Sequence, residues 1–154
     1  MTGWRADDLI AIGAAETVQI APDQEGGAPG RAATIWVVAV GNDLYIRSYS
    51  GPAARWYRRA LRGRRGTIRA SNLEQRVRLD GADADVQPQI DAAYQTKYAA
   101  HGSSYVKRIV GRAAVATTLR LQPIGSARLK TDRRRPRPNR LTEEKRSRIV
   151  IGPA

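Results

Sequence analysis

Residues 43–61 read DLYIRSYSGPAARWYRRAL, a strand-like run that ends in Ser-Tyr-Ser-Gly-Pro and passes at once into a short helix. In the strand part, Leu44, Ile46, Ser48 and Ser50 alternate onto one face, and Tyr45, Arg47 and Tyr49 onto the other. Gly51-Pro52 sets a proline near the first helical position, where its missing N–H costs little. Over 52–62, Ala53, Trp56, Tyr57, Ala60 and Leu61 make one stripe at helical spacing, while Arg55, Arg58, Arg59 and Arg62 make another. The expectation is an amphipathic helix with a basic outer face.

The start of that helix is where chemistry is expected. Free backbone N–H groups and the positive helix pole meet the hydroxyls of Ser48 and Ser50, with Arg47 and Arg55 within reach. Such a junction would hold a phosphate or carboxylate, each charge-assisted contact contributing about 1.5–3 kcal/mol. The competing expectation is that Ser50 only caps the helix, the Trp and Tyr fill core, and the arginines are solvated.

Outward from this junction, the elements alternate in a mixed order. Residues 4–15 read as a helix and TVQIA (17–21) as a strand ended by Pro22. TIWVVAV (34–40) is apolar at alternate positions of both faces, as in a strand buried on both sides or lining a closed barrel. GND (41–43) turns it back onto 44–50 as a hairpin. Residues 66–70 and 74–82 read as a second hairpin, and Arg64-Arg65 as a basic turn. Asp85 is placed to cap a helix from about Gln87 to Ala100, with Ile90, Ala93, Tyr94 and Tyr98 on one stripe. SYVKRIVGRAA (104–114) makes a further short helix, and TTLRLQP (117–123) closes the domain as a strand.

Composition bounds the class. The chain has 154 residues and 42% apolar content, enough for one core. It contains no cysteine, which excludes disulfides, thiol nucleophiles and Cys-type zinc sites. No apolar run approaches the length of about 18 residues that a membrane helix needs, and the start has no apolar core of a secretory signal. A soluble, cytoplasmic protein without a membrane partner is expected. The net charge is +13; residues 124–154 hold ten basic and three acidic residues, and the first 123 hold seventeen and eleven. Over half of the excess thus lies in the last fifth of the chain. Residues 125–154 read as a basic tail that cannot bury enough apolar surface to order itself, leaving 1–124 as the domain. That tail could engage nucleic acid or be merely solvated. Of the 27 basic residues 23 are Arg and Phe is absent, a pattern that a GC-rich coding sequence also produces.

Other constellations carry little. His101 is the single histidine, beside Gly102 in an expected surface loop, and no Gly-x-Ser-x-Gly turn is present. DGADADV (80–86) lacks the closing Glu of a calcium loop. GGAPG lacks the Gly-Lys-Ser/Thr of a phosphate loop. Tyr94, Tyr98 and Tyr105 would pack in the core or wall a pocket.

The succession TIWVVAVGNDLYIRSYSG, ARWYRRAL, AAYQTKY, SYV and ATTLRLQP resembles a small bacterial family, domain of unknown function 2255, over about residues 4–123. More distantly it is similar to the deazaflavin-dependent nitroreductase branch of the split β-barrel flavin-binding proteins. The resemblance implies an α+β fold: a split, FMN-binding-like barrel of about six antiparallel strands, a short helix after the central hairpin and two C-terminal helices before the last strand. It also implies a cofactor, FMN or the deazaflavin coenzyme, with its phosphate at the strand-to-helix turn. Ser48, Ser50 and Gly51 match that turn, Trp56 and Tyr57 the aromatic pair of the helix, and Thr34 and Trp36 the strand that would face the ring. Arg47 and Arg55 join this set on the electrostatic reading alone. Under this reading the protein is a cofactor-dependent oxidoreductase, and pairing of barrels into a homodimer is allowed by analogy. The alternative is a non-enzymatic basic module for nucleic acid or another acidic partner.

Overall fold

A computed structural model describes residues 3–28, 30–125 and 127–129. Its helices are α1 (Ala6–Ala14), α2 (Arg55–Gly63), α3 (Gln87–Lys97), α4 (Ser103–Ile109) and α5 (Arg112–Val115). The strands are β1 (Val18–Pro22), β2 (Ala33–Ile35), β3 (Val37–Val40), β4 (Asp43–Ile46), β5 (Arg65–Ala70), β6 (Leu73–Gly81), β7 (Leu119–Pro123) and β8 (Arg128–Leu129). Seven of them form one antiparallel sheet in the order β2-β1-β5-β6-β7-β4-β3, and β8 pairs with β6.

The two ends of this sheet are consecutive in sequence. The run expected as one strand over 34–40 breaks at Trp36: Thr34 pairs with Gln19 of β1, whereas Val37 pairs with Ile46 of β4. The chain itself therefore closes the sheet into a barrel at the point where backbone pairing lapses. This is the split α+β barrel that the resemblance implies, with seven strands in place of six because one strand serves both edges. The hairpin turn between β5 and β6 falls at Ser71-Asn72; Arg64, expected in such a turn, instead ends α2 in a left-handed conformation (φ 60°). The expected tail begins at 125, yet 128–129 form β8; residues 130–154 lie outside the described residues.

Two apolar layers fill the molecule. Inside the barrel, Val18, Ile20, Val37, Leu44, Ile46, Ile68, Val77, Leu79, Leu119 and Leu121 pack together, with Ile12 of α1 and Tyr57 and Ala60 of α2 against them. On the other side of β3 and β4, Val38 and Tyr45 pack against Ile90, Tyr94, Tyr98, Ile109 and Ala114 from the C-terminal helices. Burial on both faces is the physical reason that 34–40 lacks polar alternation. The barrel is tight where β1 meets β5. A Cβ on Gly66 would lie 2.7 Å from the Ala21 carbonyl oxygen and 2.9 Å from the Pro22 Cα, so only glycine lets these strands meet.

α3 starts differently from the expected cap. Its N-cap residue is Val86, no side chain caps it, and Pro88 stands in its first turn. Asp85 belongs to the short 3-10 turn Ala84–Val86 that precedes it. At the other end Lys97 ties three elements together. Its ammonium donates to the carbonyls of Gly13 (2.7 Å), Ala15 (2.6 Å) and Val37 (2.7 Å). The first two are carbonyls at the C-terminal end of α1 that the helix leaves without partners, and the third belongs to β3. Burial pulls the Lys97 ammonium down to about 8, partly opposed by the charge of Glu16.

Candidate functional site

β4 gives way after Ile46 because its backbone finds other partners. The Ser48 N–H donates to Thr117 Oγ1 (2.8 Å), and the Gly51 N–H donates to the Ser48 carbonyl (3.0 Å). The chain then curls through Gly51, at φ +80°, into a 3-10 turn (Gly51–Ala53) and on into α2. A Cβ at Gly51 would also press to 3.3 Å from the Ala113 Cβ. The turn is thus shaped by one buried glycine and one threonine, and it forms the edge of a cleft.

That cleft has a volume of about 410 Å³ and lies between the Trp36 break, the 47–50 turn, the first turn of α2 and one face of α4. Of the residues expected at a site, Thr34, Trp36, Arg47, Ser48, Ser50 and Trp56 line it. Gly51, Arg55 and Tyr57 do not. Gly51 is buried behind the turn, Arg55 points to solvent, and Tyr57 faces the barrel core. Ile35, Tyr49, Ala54, Tyr105 and Ile109 complete the lining. Tyr105, one of the three tyrosines weighed as a pocket wall, belongs there; Tyr94 and Tyr98 belong to the core.

The walls are aromatic. Trp36 stacks on Tyr98 with ring centroids 4.1 Å apart and planes 7° from parallel, and it meets Tyr49 edge-on at 6.3 Å. Tyr98 is itself fixed: its hydroxyl donates to the Glu16 carbonyl (2.6 Å) and accepts from the Val37 N–H (3.1 Å), and burial pushes its phenol up to about 12. Tyr49 and Tyr105 stand 6.2 Å apart at the mouth, and the Arg108 guanidinium lies 4.9 Å over the Tyr49 ring. His101, expected in a surface loop, contacts Glu16 (2.8 Å) and tilts against Trp36 at 5.1 Å. No spacing rule links it to Trp36, which lies 65 positions earlier.

Two of the expected anion ligands are committed elsewhere. Arg47 is fully buried; its guanidinium makes an ion pair with Asp91 (2.7 Å) and donates to Thr118 Oγ1 (2.9 Å), the Ile109 carbonyl (3.1 Å) and Gln87 Oε1 (2.7 Å). The reason is electrostatic: a guanidinium taken out of water needs a counter-charge and acceptors for its donors, and α3 supplies both. The Ser48 hydroxyl donates to the Gly51 carbonyl (2.7 Å) and so holds the turn. Ser50 is exposed and makes no capping bond to the helix, so its hydroxyl is open to the cleft. The arrangement offers an aromatic-walled cleft with one available hydroxyl at its lip. Among the described residues no group of three His, Cys, Asp or Glu could hold a metal ion, and no helix is long and apolar enough to cross a membrane.

The chain belongs to the bacterial family described as "Uncharacterized protein conserved in bacteria (DUF2255)", which matches residues 8–121. No curated protein matches its sequence. Among solved structures it is similar to HutZ, the heme storage protein from Vibrio cholerae, with 13% identity, 81% of this chain and 93% of that chain covered, and a TM-score of 0.60. It is also similar to an F420 reductase, with 12% identity, 77% and 94% covered, and a TM-score of 0.55. A FAD-binding protein from Mesorhizobium loti shares 14% identity over 82% of this chain and 94% of its own, with a TM-score of 0.51. At such identities the likeness is one of fold.

Proposed function

We propose that the cleft binds a flavin-type cofactor, FMN or the deazaflavin coenzyme, and that the protein is a reductase that uses it. The observation that carries this reading is the aromatic slot at Trp36, a cleft of about 410 Å³ in the size range of cofactor sites, in a fold shared with an F420 reductase and a FAD-binding protein.

The residues fit the ring better than the phosphate. Trp36, held flat by Tyr98, together with Tyr49 and Tyr105 would give a planar heterocycle aromatic surfaces to lie against. Ser50 would meet the phosphate, and Arg55, unpaired in the first turn of α2, is the cation able to swing towards it. Arg47 and Ser48 shape the floor and the turn without touching the anion. When bound, the cofactor supplies hydride transfer, so the protein need only bind, orient and exclude water. Residues 1–124 would form the catalytic domain in the cytoplasm, with the basic segment after it as a separate arm.

Titration of the full chain with FMN and with the deazaflavin coenzyme, followed by calorimetry and tryptophan fluorescence, tests the reading. Saturable binding to one of them in the micromolar range is expected. Trp36→Leu should weaken it at least tenfold, about 1.4 kcal/mol, and Ser50→Ala should weaken it less. A folded protein that binds neither would refute the proposal.

A further inference from the structure

Residues 44–73 contain eight arginines and no acidic residue. Three of the eight are engaged inside the protein: Arg47 as described, Arg64 through the Leu79 carbonyl, and Arg69 through Glu74. Three arginines on β6 and β7 are matched likewise. Arg76 makes a two-pronged pair with Asp23 (2.7 Å for each prong), and Arg78 and Arg120 share Asp80. The side chains of the other five, Arg55, Arg58, Arg59, Arg62 and Arg65, have no ion pair or hydrogen bond among the described residues. They lie together on the outer face of α2 and the start of β5.

This clustering works against the helix that carries it. Arg55 faces Arg58 and Arg59, and both face Arg62, at the three- and four-residue spacings where like charges repel. No acidic residue occupies the first turn, and Arg55 sits at the positive helix pole. Asp23 and Glu25 approach Arg59 and Arg62 across a groove, but Asp23 is held by Arg76 and Glu25 forms no ion pair. An external anion with several charges would offset this repulsion, since no described acidic residue forms an ion pair with the row.

We propose that this arginine face binds the phosphodiester backbone of single-stranded nucleic acid. Side chains at these spacings repeat every 5–6 Å or so along the helix, and each guanidinium presents a fork suited to a phosphate. The choice of a single strand rests on what lies next to the row. The first turn of α2 forms the lip of the aromatic cleft, where Ala54 and Trp56 adjoin Tyr49 and Tyr105. Unpaired bases can stack on such rings while phosphates follow the arginines. A lipid surface or an acidic peptide would use the charge but not the rings. The inference shares the aromatic lip and Arg55 with the cofactor reading, whereas Arg58, Arg59, Arg62 and Arg65 have no part in that reading and do not line the cleft.

The test uses the full chain and a fluorescently labelled oligothymidylate, with anisotropy measured at several salt concentrations. Replacing Arg55, Arg58, Arg59 and Arg62 together by Gln should lower affinity at least tenfold. It should also reduce the slope of log affinity against log salt by about 3, given about 0.7 per phosphate contact on a single strand. The corresponding set of Lys variants should keep the slope. The Gln set should melt no lower than wild type, because it relieves repulsion. Should it melt lower, the pair Arg58→Gln/Arg62→Gln, losing about half of that slope, takes its place. Unchanged affinity and slope in the Gln variants would overturn the proposal and put any binding elsewhere in the chain. So would absence of salt-sensitive binding by wild type, or preferential binding of phosphatidylserine vesicles over the oligonucleotide.

Discussion

Replacing Arg47 by Met tests how the floor of the cleft is held. The Arg47 side chain is 0% exposed and that of Asp91 35%. Arg47→Met removes the ion pair and three hydrogen bonds and leaves the Ile109 carbonyl and Gln87 Oε1 without that donor. Breaking a buried pair costs about 3–5 kcal/mol; because water reaches part of Asp91, the lower end, about 3 kcal/mol, applies. Asp91→Asn keeps the neutral acceptors but strands a buried cation, at about 2 kcal/mol. The double variant has neither charge and should cost about 3 kcal/mol, not the 5 or so expected of independent sites, a coupling of about 2 kcal/mol. Urea unfolding at pH 7 followed by circular dichroism measures all three, with the m-value as a check that the denatured state is unchanged. Strict additivity would refute the claim that Asp91 is the counter-charge. A loss below about 1 kcal/mol for Arg47→Met would refute its burial as an essential ion.

Two further outcomes follow from other parts of the molecule. Lys97 is held at about 8 in the fold against 10.5 in an unfolded chain, so between these values the unfolded state holds more protons and stability should rise with pH. Tyr98 is raised from 10.0 to about 12, so above pH 10 the fold keeps a proton that the unfolded chain loses and stability should fall; Lys97→Met should abolish the rise and leave the fall, measured as urea midpoints across the range. Gly51→Ala forces a side chain into φ +80° and against Ala113, at about 1–3 kcal/mol, and thermal melting with cofactor titration should show loss of both stability and affinity.

Much of the scaffold was legible along the chain. The apolar run at 34–40, the turn at 41–43 and the amphipathic pattern of α2 each express a local period, and local periods reflect which faces are buried. Leu61 is an exception, 38% exposed on the stripe expected to be apolar, because α2 rests on the barrel mainly through Tyr57 and Ala60. At the site, Ser50 and Trp56 reach one cleft from a single short stretch, and Trp36 joins them from the strand break. Arg47 and Ser48 also line it, with Arg47 bound to Asp91 and the Ser48 hydroxyl to the Gly51 carbonyl, partners that no local pattern announces.

The sequence by itself determined the strand and helix pattern, the two-faced burial of 34–40 and the arginine row of α2, because each depends on near neighbours. Only the tertiary structure decided that this strand breaks at Trp36 to serve both edges of the barrel, since alternation of side chains is the same in one strand as in two. It likewise decided that Arg47 would meet Asp91, 44 positions away, while Arg55, Arg58, Arg59 and Arg62 form no ion pair among the described residues. A positive charge reads identically in sequence whether it is neutralised or free. Which it becomes depends on the acids that folding brings within a few ångströms of it.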